Sequence, residues 1–130
     1  MTGGNAGLGY ALCKLLIINH GCYVYMCSRS LERGNAAVQK LISEEAKCEG
    51  KVEVVQVDVS DSAQVTAAAE SVKAKLGENK LYGLINNAGV TDGGTKEATV
   101  NTNFYGPKWM TDAFISMIDP DEGRIINIVG

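Results

Sequence analysis

At 130 residues, 45% hydrophobic and 21% charged, the chain has material for one globular domain with a modest core and no room for a second. Its formal net charge of -3 and the lack of any lysine or arginine run argue against nucleic acid and anionic membrane as partners. The longest aliphatic runs, such as Leu15-Leu16-Ile17-Ile18, cannot span a bilayer, and the N-terminus lacks the regions of a signal peptide, so a cytoplasmic setting is expected.

Met1-Thr2-Gly3-Gly4-Asn5-Ala6-Gly7-Leu8-Gly9 opens the chain with closely spaced glycines, followed at once by the apolar run from Ala11 to Ile18. Gly3 permits a tight turn, Gly7 lets backbone approach a pyrophosphate, and Gly9 lets the new helix pack closely on a sheet. Free N–H groups at the helix start would attract the anion. The spacing is Thr-Gly-x-x-x-Gly-x-Gly rather than Gly-x-Gly-x-x-Gly, so taken alone it suits a dinucleotide turn or a plain surface turn equally.

The spacing of Leu8, Leu12, Leu15 and Leu16 predicts a helix from about Gly7 to Asn19 with Gly21 as its left-handed stop. His20 falls in that stop, where an imidazole meets free helix carbonyls, so it is expected to serve the helix end and not catalysis. Cys22 to Cys27 is a continuous apolar and aromatic run that reads as a strand buried on both faces of a parallel sheet. Arg29 stands just past that strand, where a dinucleotide fold holds the adenosine ribose. A guanidinium there binds a 2′-phosphate, so Arg29 points to NADP over NAD, with Ser28 or Ser30 as a possible further donor. Cys13, Cys22, Cys27 and Cys48 form no Cys-x-x-Cys pair and are expected to be inert thiols, with no metal or redox role.

Ser30 is placed to cap the next helix, whose Leu31, Val38, Leu41 and Ile42 make one apolar face. Val52 to Val57 reads as a second strand ending at Asp58-Val59. Ser60 or Asp61 then caps a helix carrying Val65, Ala68, Ala69, Val72 and Leu76. Leu81 to Ile85 forms a short strand running into Asn86-Asn87-Ala88-Gly89. Strand and helix alternate throughout, which predicts an α/β fold whose ligand lies beyond the carboxyl ends of parallel strands.

Thr2 to Gly9, Asp58-Val59 and Asn86-Asn87-Ala88-Gly89 together resemble the signature set of the short-chain dehydrogenase/reductase family. Asn103-Phe104-Tyr105-Gly106 resembles its Asn-x-x-Gly element, and Gly123 to Ile128 its fifth strand. Asn5, Arg29 and the stretch 96–118 look most like its NADPH-dependent carbonyl reductases. The resemblance implies a Rossmann-type doubly wound parallel sheet and a bound NADP(H). Its implied cofactor contacts are Thr2, Gly3, Asn5, Gly7, Leu8, Gly9, Arg29, Asp58, Val59, Asn87, Ala88 and Gly89. It also implies that Asn103 holds the water of the catalytic proton relay. Pro107, within an apolar helix from about Val100 to Ile118, lacks an N–H and so should free the Asn103 carbonyl for such a water.

Two departures bear on activity. The family's serine after the fifth strand and its Tyr-x-x-x-Lys pair are not in place: the chain reads Val129-Gly130 at the serine position. Tyr10-x-x-x-Lys14 satisfies the spacing on one helix face, but it lies in the cofactor helix, where it cannot replace the downstream pair. Only Met1 precedes Thr2, so the first strand of the fold is also missing, and 1–130 reads as a partial cofactor-binding domain internal to a longer sequence. The reading is the NADP-binding portion of a reductase that transfers hydride to a ketone, aldehyde or quinone, the small-molecule carbonyl being its partner. The alternative is a non-catalytic NADP-binding module; a methyltransferase is disfavoured by Arg29 and Asn86 to Gly89. Substrate and oligomeric state are not legible.

Overall fold

The computed structural model describes residues 1–92 and 94–129, and the chain divides into two compact units, Met1–Val57 and Asp58–Gly130. In the first unit, helix α1 (Gly7–His20) leads to strand β1 (Val24–Ser28), helix α2 (Leu31–Glu44), a 3₁₀ turn (Ala46–Cys48) and strand β2 (Val52–Gln56). β1 and β2 run parallel, in register from Val24 with Val52 to Ser28 with Gln56. Cys13 and Ile17 of α1 and Ala37 and Leu41 of α2 share one core with Val24, Met26 and Val52, so both helices cover the same face of the pair.

The buried side of α1 is not the leucine stripe that spacing suggested. Gly9, Cys13 and Ile17 face inward, while Leu8 and Leu15 are about half exposed. In a helix apolar nearly all round, several stripes overlap, and the one with the smaller residues lets the helix lie closest to the strand. α2 behaves similarly: Gly34, Ala37 and Leu41 are buried and Leu31 is exposed. A Cβ at Gly34 would come within 2.6 Å of Val54 Cγ1, which measures how closely α2 lies on β2. Gly21 ends α1 in the left-handed region at φ 63°. Its N–H and that of Cys22 bond back to Ile17 and Leu16. This cap consumes Cys22, so β1 begins at Val24 and not at Cys22.

Backbone groups along β1 alternate between its two edges, as a parallel ladder requires. The Val24 N–H and the Ser28 carbonyl bond Lys51 and Val57 on the β2 side. Tyr25 and Cys27 bond the other way, to the Met1 amine, the Met1 carbonyl and the Gly4 N–H. Met1 and Thr2 therefore pair with β1 in parallel, on the edge opposite β2.

The second unit holds helix α3 (Ser62–Leu76), strand β3 (Gly83–Asn86), helix α4 (Lys96–Val100), a π-helical turn (Asn101–Tyr105), helix α5 (Gly106–Phe114), a 3₁₀ turn (Ile115–Met117) and strand β4 (Arg124–Asn127). Asp61 caps α3 by accepting from the Ala63 and Gln64 N–H groups, and Val65, Ala68, Ala69 and Val72 are buried as their spacing predicts. β3 and β4 run parallel, Asn86 standing in register with Asn127. The strands thus form two separate two-stranded parallel pairs, and the α/β alternation joining parallel neighbours through helices is the Rossmann-type pattern. The helix expected over residues 100–118 is one rod in four pieces, because its backbone switches to a five-residue ladder at Asn101. No helix among the described residues is long and apolar enough to cross a membrane.

Candidate functional site

In the first unit, Gly3 and Gly7 adopt left-handed φ values of 62° and 53°, which only glycine takes without strain. They turn the chain sharply between Thr2, buried against β1, and the start of α1. Gly4, assigned no role by the spacing argument, is the close-packed glycine: a Cβ there would meet Met26 Cγ at 2.9 Å and Cys13 Sγ at 3.1 Å. Neighbouring bulk, invisible in a spacing pattern, is what demands it.

The start of α1 differs from that of α2, α3 and α4. Those three carry side-chain caps from Ser30, Asp61 and Thr95, whereas Ala6 at the head of α1 offers no side-chain hydrogen bond; the first turn of α1, like that of α3, has no acidic residue. First-turn N–H groups without a side-chain cap, reached through two left-handed glycines, make a cradle for an anion such as a diphosphate. Asn5 lies in this turn, and Leu8 is exposed beside it at 56%.

At the end of β1, the buried Ser28 donates from Oγ to the Ser30 carbonyl at 2.8 Å, so its hydroxyl proton is already committed. Ser30 Oγ accepts from the Arg33 N–H at 3.1 Å. The Arg29 carbonyl accepts from Gln56 Nε2 at 3.3 Å, pinning the backbone while the arginine remains exposed. A fixed main chain beneath a free guanidinium suits recognition of a phosphate group.

In the second unit, Asp58 Oδ1 accepts from both the N–H and the hydroxyl of Ser60, at 3.0 and 2.6 Å. Val59 is buried, and a Cβ on Gly106 would meet its Cγ2 at 2.9 Å, so the glycine of Asn-x-x-Gly is required by that contact. Asn86, 3% exposed, donates from Nδ2 to Asn127 Oδ1 at 2.9 Å and to Thr111 Oγ1 at 3.3 Å. Four residues on, the Asn103 side chain clamps Val90, accepting from its N–H at 2.8 Å and donating to its carbonyl at 2.6 Å. Asn87, Ala88 and Gly89 lie between these two anchors.

Asn103 sits in the π-helical turn, where the Gly106 N–H reaches back five residues to the Asn101 carbonyl. The four-residue count behind the expected freeing of the Asn103 carbonyl therefore does not describe this turn. Pro107 still supplies no N–H at the junction, so a carbonyl of the enlarged turn goes without a ladder donor.

Tyr10 and Lys14 do not form an acid pair. The Tyr10 hydroxyl donates to the Glu44 carboxylate, Lys40 lies 4.9 Å from its ring centroid, and burial together with that hydrogen bond pushes its pKa up to about 12. Burial likewise raises the Cys13 thiol to about 11 and the Cys27 thiol above its usual range, which suits inert thiols. Of the stretch after β4, Val129 is described and exposed, while Gly130 lies outside the described residues.

The family model described as short chain dehydrogenase matches residues 1–130. The chain belongs to the short-chain dehydrogenase family. Among curated members of that family, (+)-neomenthol dehydrogenase of Arabidopsis thaliana is 34% identical over 98% of this chain and 51% of its own length. Among solved structures, menthone neomenthol reductase from Mentha piperita superposes with a TM-score of 0.84 at 28% identity, over 97% of this chain and 57% of that one. NADPH-bound carbonyl reductase from chicken fatty liver gives a TM-score of 0.70 at 30% identity, over 89% and 49%. This short-chain dehydrogenase sequence spans about half the length of the curated relatives it matches.

Proposed function

We propose that this short-chain dehydrogenase sequence is the cofactor-binding portion of an NADP(H)-dependent reductase acting on a small ketone, aldehyde or quinone. The observation that carries the reading is the glycine turn, whose two left-handed residues deliver the chain to a helix start with no side-chain cap. There the N–H groups of α1 hold the diphosphate, and Leu8 and Asn5 flank it. Arg29 binds the ribose 2′-phosphate from the end of β1, as a bidentate cation. Asp58 and Val59 are assigned to the adenine, and the Asn87-Ala88-Gly89 backbone lines the same cofactor. Asn103 is assigned to the relay water, as the family resemblance implies.

When bound, the nicotinamide supplies the hydride. The chain's own contribution is to bind and orient it: backbone amides neutralise phosphate charge, and the tethered segment after β3 fixes the position of its wall. The buried Asn86 and the clamped Val90 keep that wall from relaxing toward water.

Titration of the full-length protein with NADPH and NADH, followed by carbonyl-dependent NADPH oxidation, tests the reading. Tight NADPH binding with turnover supports the reductase; NADPH binding without turnover of any carbonyl supports the non-catalytic module. Failure to bind either nucleotide rejects both.

A further inference from the structure

The segment from Asn86 to Val90 is hung at both ends from one helical rod. Asn86 reaches Thr111 on α5, and Val90 is clamped by Asn103 in the π-helical turn. Thr111 and Asn103 are eight residues apart. Asn103 lies within the π-helical turn and Thr111 on α5, and at a separation of eight residues two helical side chains fall on one face.

We propose that Thr111 is a positioning residue for the Asn86–Val90 segment, acting through its hydrogen bond with the Asn86 side chain. The burial of Asn86 makes the tether consequential. Its Oδ1 is buried without a hydrogen-bond partner among the described residues, so the side chain is held through Nδ2 alone, by Asn127 and Thr111. Losing Thr111 leaves the Asn86 side chain with Asn127 as its one hydrogen-bond partner, while its carbonyl still accepts from the Ile128 N–H at 3.0 Å, so the segment loosens at its side-chain tether. The consequence for cofactor binding rests on the reading that Asn87-Ala88-Gly89 lines NADP(H); the tether itself does not.

Two measurements on the full-length protein test this: backbone amide hydrogen exchange over residues 87–90 without cofactor, and NADPH titration. Thr111→Val should speed exchange there roughly twofold to tenfold, the effect of one neutral hydrogen bond, and weaken NADPH binding by a similar factor. Thr111→Ser should restore both, and Lys108→Ala, which removes only an exposed pair with Asp112 at 2.8 Å, should change neither. Thr111→Ala serves in place of the valine variant if that fails to fold. Unaltered exchange in Thr111→Val, or no recovery in Thr111→Ser, overturns the proposal. Faster exchange in a protein that never binds NADPH would uphold the tether and reject the cofactor reading.

Discussion

The Tyr10 hydroxyl donates its hydrogen bond to Glu44, joining α1 to α2 across the outside of the first unit. That bond decides between two readings of the only Tyr-x-x-x-Lys in the chain. A proton donor for carbonyl reduction needs a hydroxyl that gives up its proton near neutral pH. Tyr10 has the opposite character, with burial and the Glu44 bond raising it to about 12.

Tyr10→Phe should therefore leave NADPH binding and any carbonyl reduction by the full-length protein within about twofold of the unsubstituted rate. A loss of a hundredfold or more, the range of a missing general acid, would place Tyr10 in the chemistry after all.

The same pair fixes a pH window for its contribution to stability. The hydrogen bond from Tyr10, with Lys14 and Lys40 assisting, holds the Glu44 carboxyl below its usual range. Its contribution is present above the unfolded carboxylate value of about 4.3 and is lost as pH falls through the lower folded value. Tyr10 is the reverse case: its contribution is complete below about 10 and is lost as pH rises through about 12. The difference in melting temperature between the unsubstituted protein and Tyr10→Phe should be largest between those limits and vanish at both ends. A difference independent of pH would show that the bond is absent in solution.

Arg29→Asp should weaken NADPH binding about tenfold to a hundredfold and improve relative use of NADH. A charge-assisted bond to phosphate is worth about 1.5 to 3 kcal/mol, and the new carboxylate repels what remains. The guanidinium is exposed and its backbone is pinned by Gln56, so the substitution should leave the melting temperature nearly unchanged. Unchanged NADPH affinity would remove Arg29 from the site.

Gly4 and Gly7 should separate packing from backbone strain. Gly4→Ala forces Met26 and Cys13 to shift, an overpacking cost of about 1 to 3 kcal/mol. Gly7→Ala meets nothing within 4 Å and carries only the left-handed penalty of about 1 to 2 kcal/mol. Cavity-creating Met26→Ala should therefore relieve Gly4→Ala in a double-mutant cycle and have no coupling with Gly7→Ala, read from denaturant midpoints.

Residues 1–130 made alone should neither reduce carbonyls above background nor form a stable monomer. Among the described residues each unit's sheet is a two-stranded pair, so its stability rests on the helices packed against it. Ile126 and Val129 are exposed at 46% and 89%, leaving β4 and its exit without an apolar cover. A cooperative melt from a monodisperse monomer would contradict the folding expectation. Carbonyl-dependent NADPH oxidation by these residues alone would contradict the catalytic one.

Much of this molecule is legible along the chain because the forces that set it are local. Gly21 stops α1 because the left-handed region suits glycine, Ser30 and Asp61 cap their helices because the hydroxyl and carboxylate reach free N–H groups, and an apolar and aromatic run becomes β1 and a β-branched one β2. The family is legible too, since its glycines and asparagines sit in short contiguous motifs. Tertiary packing decided the rest. Which stripe of α1 faces inward depends on how closely β1 lies beneath it, and the need for glycine at Gly4 depends on Met26 and Cys13. Residues 13 to 41 positions apart in the chain set the asparagine anchors and the bond from Tyr10, and no periodicity encodes such distances. The π-helical turn belongs to the same class: Asn101 to Tyr105 are weak helix formers, which by itself does not select a π turn, and the turn stands where Asn103 clamps Val90 and Gly106 lies close on Val59.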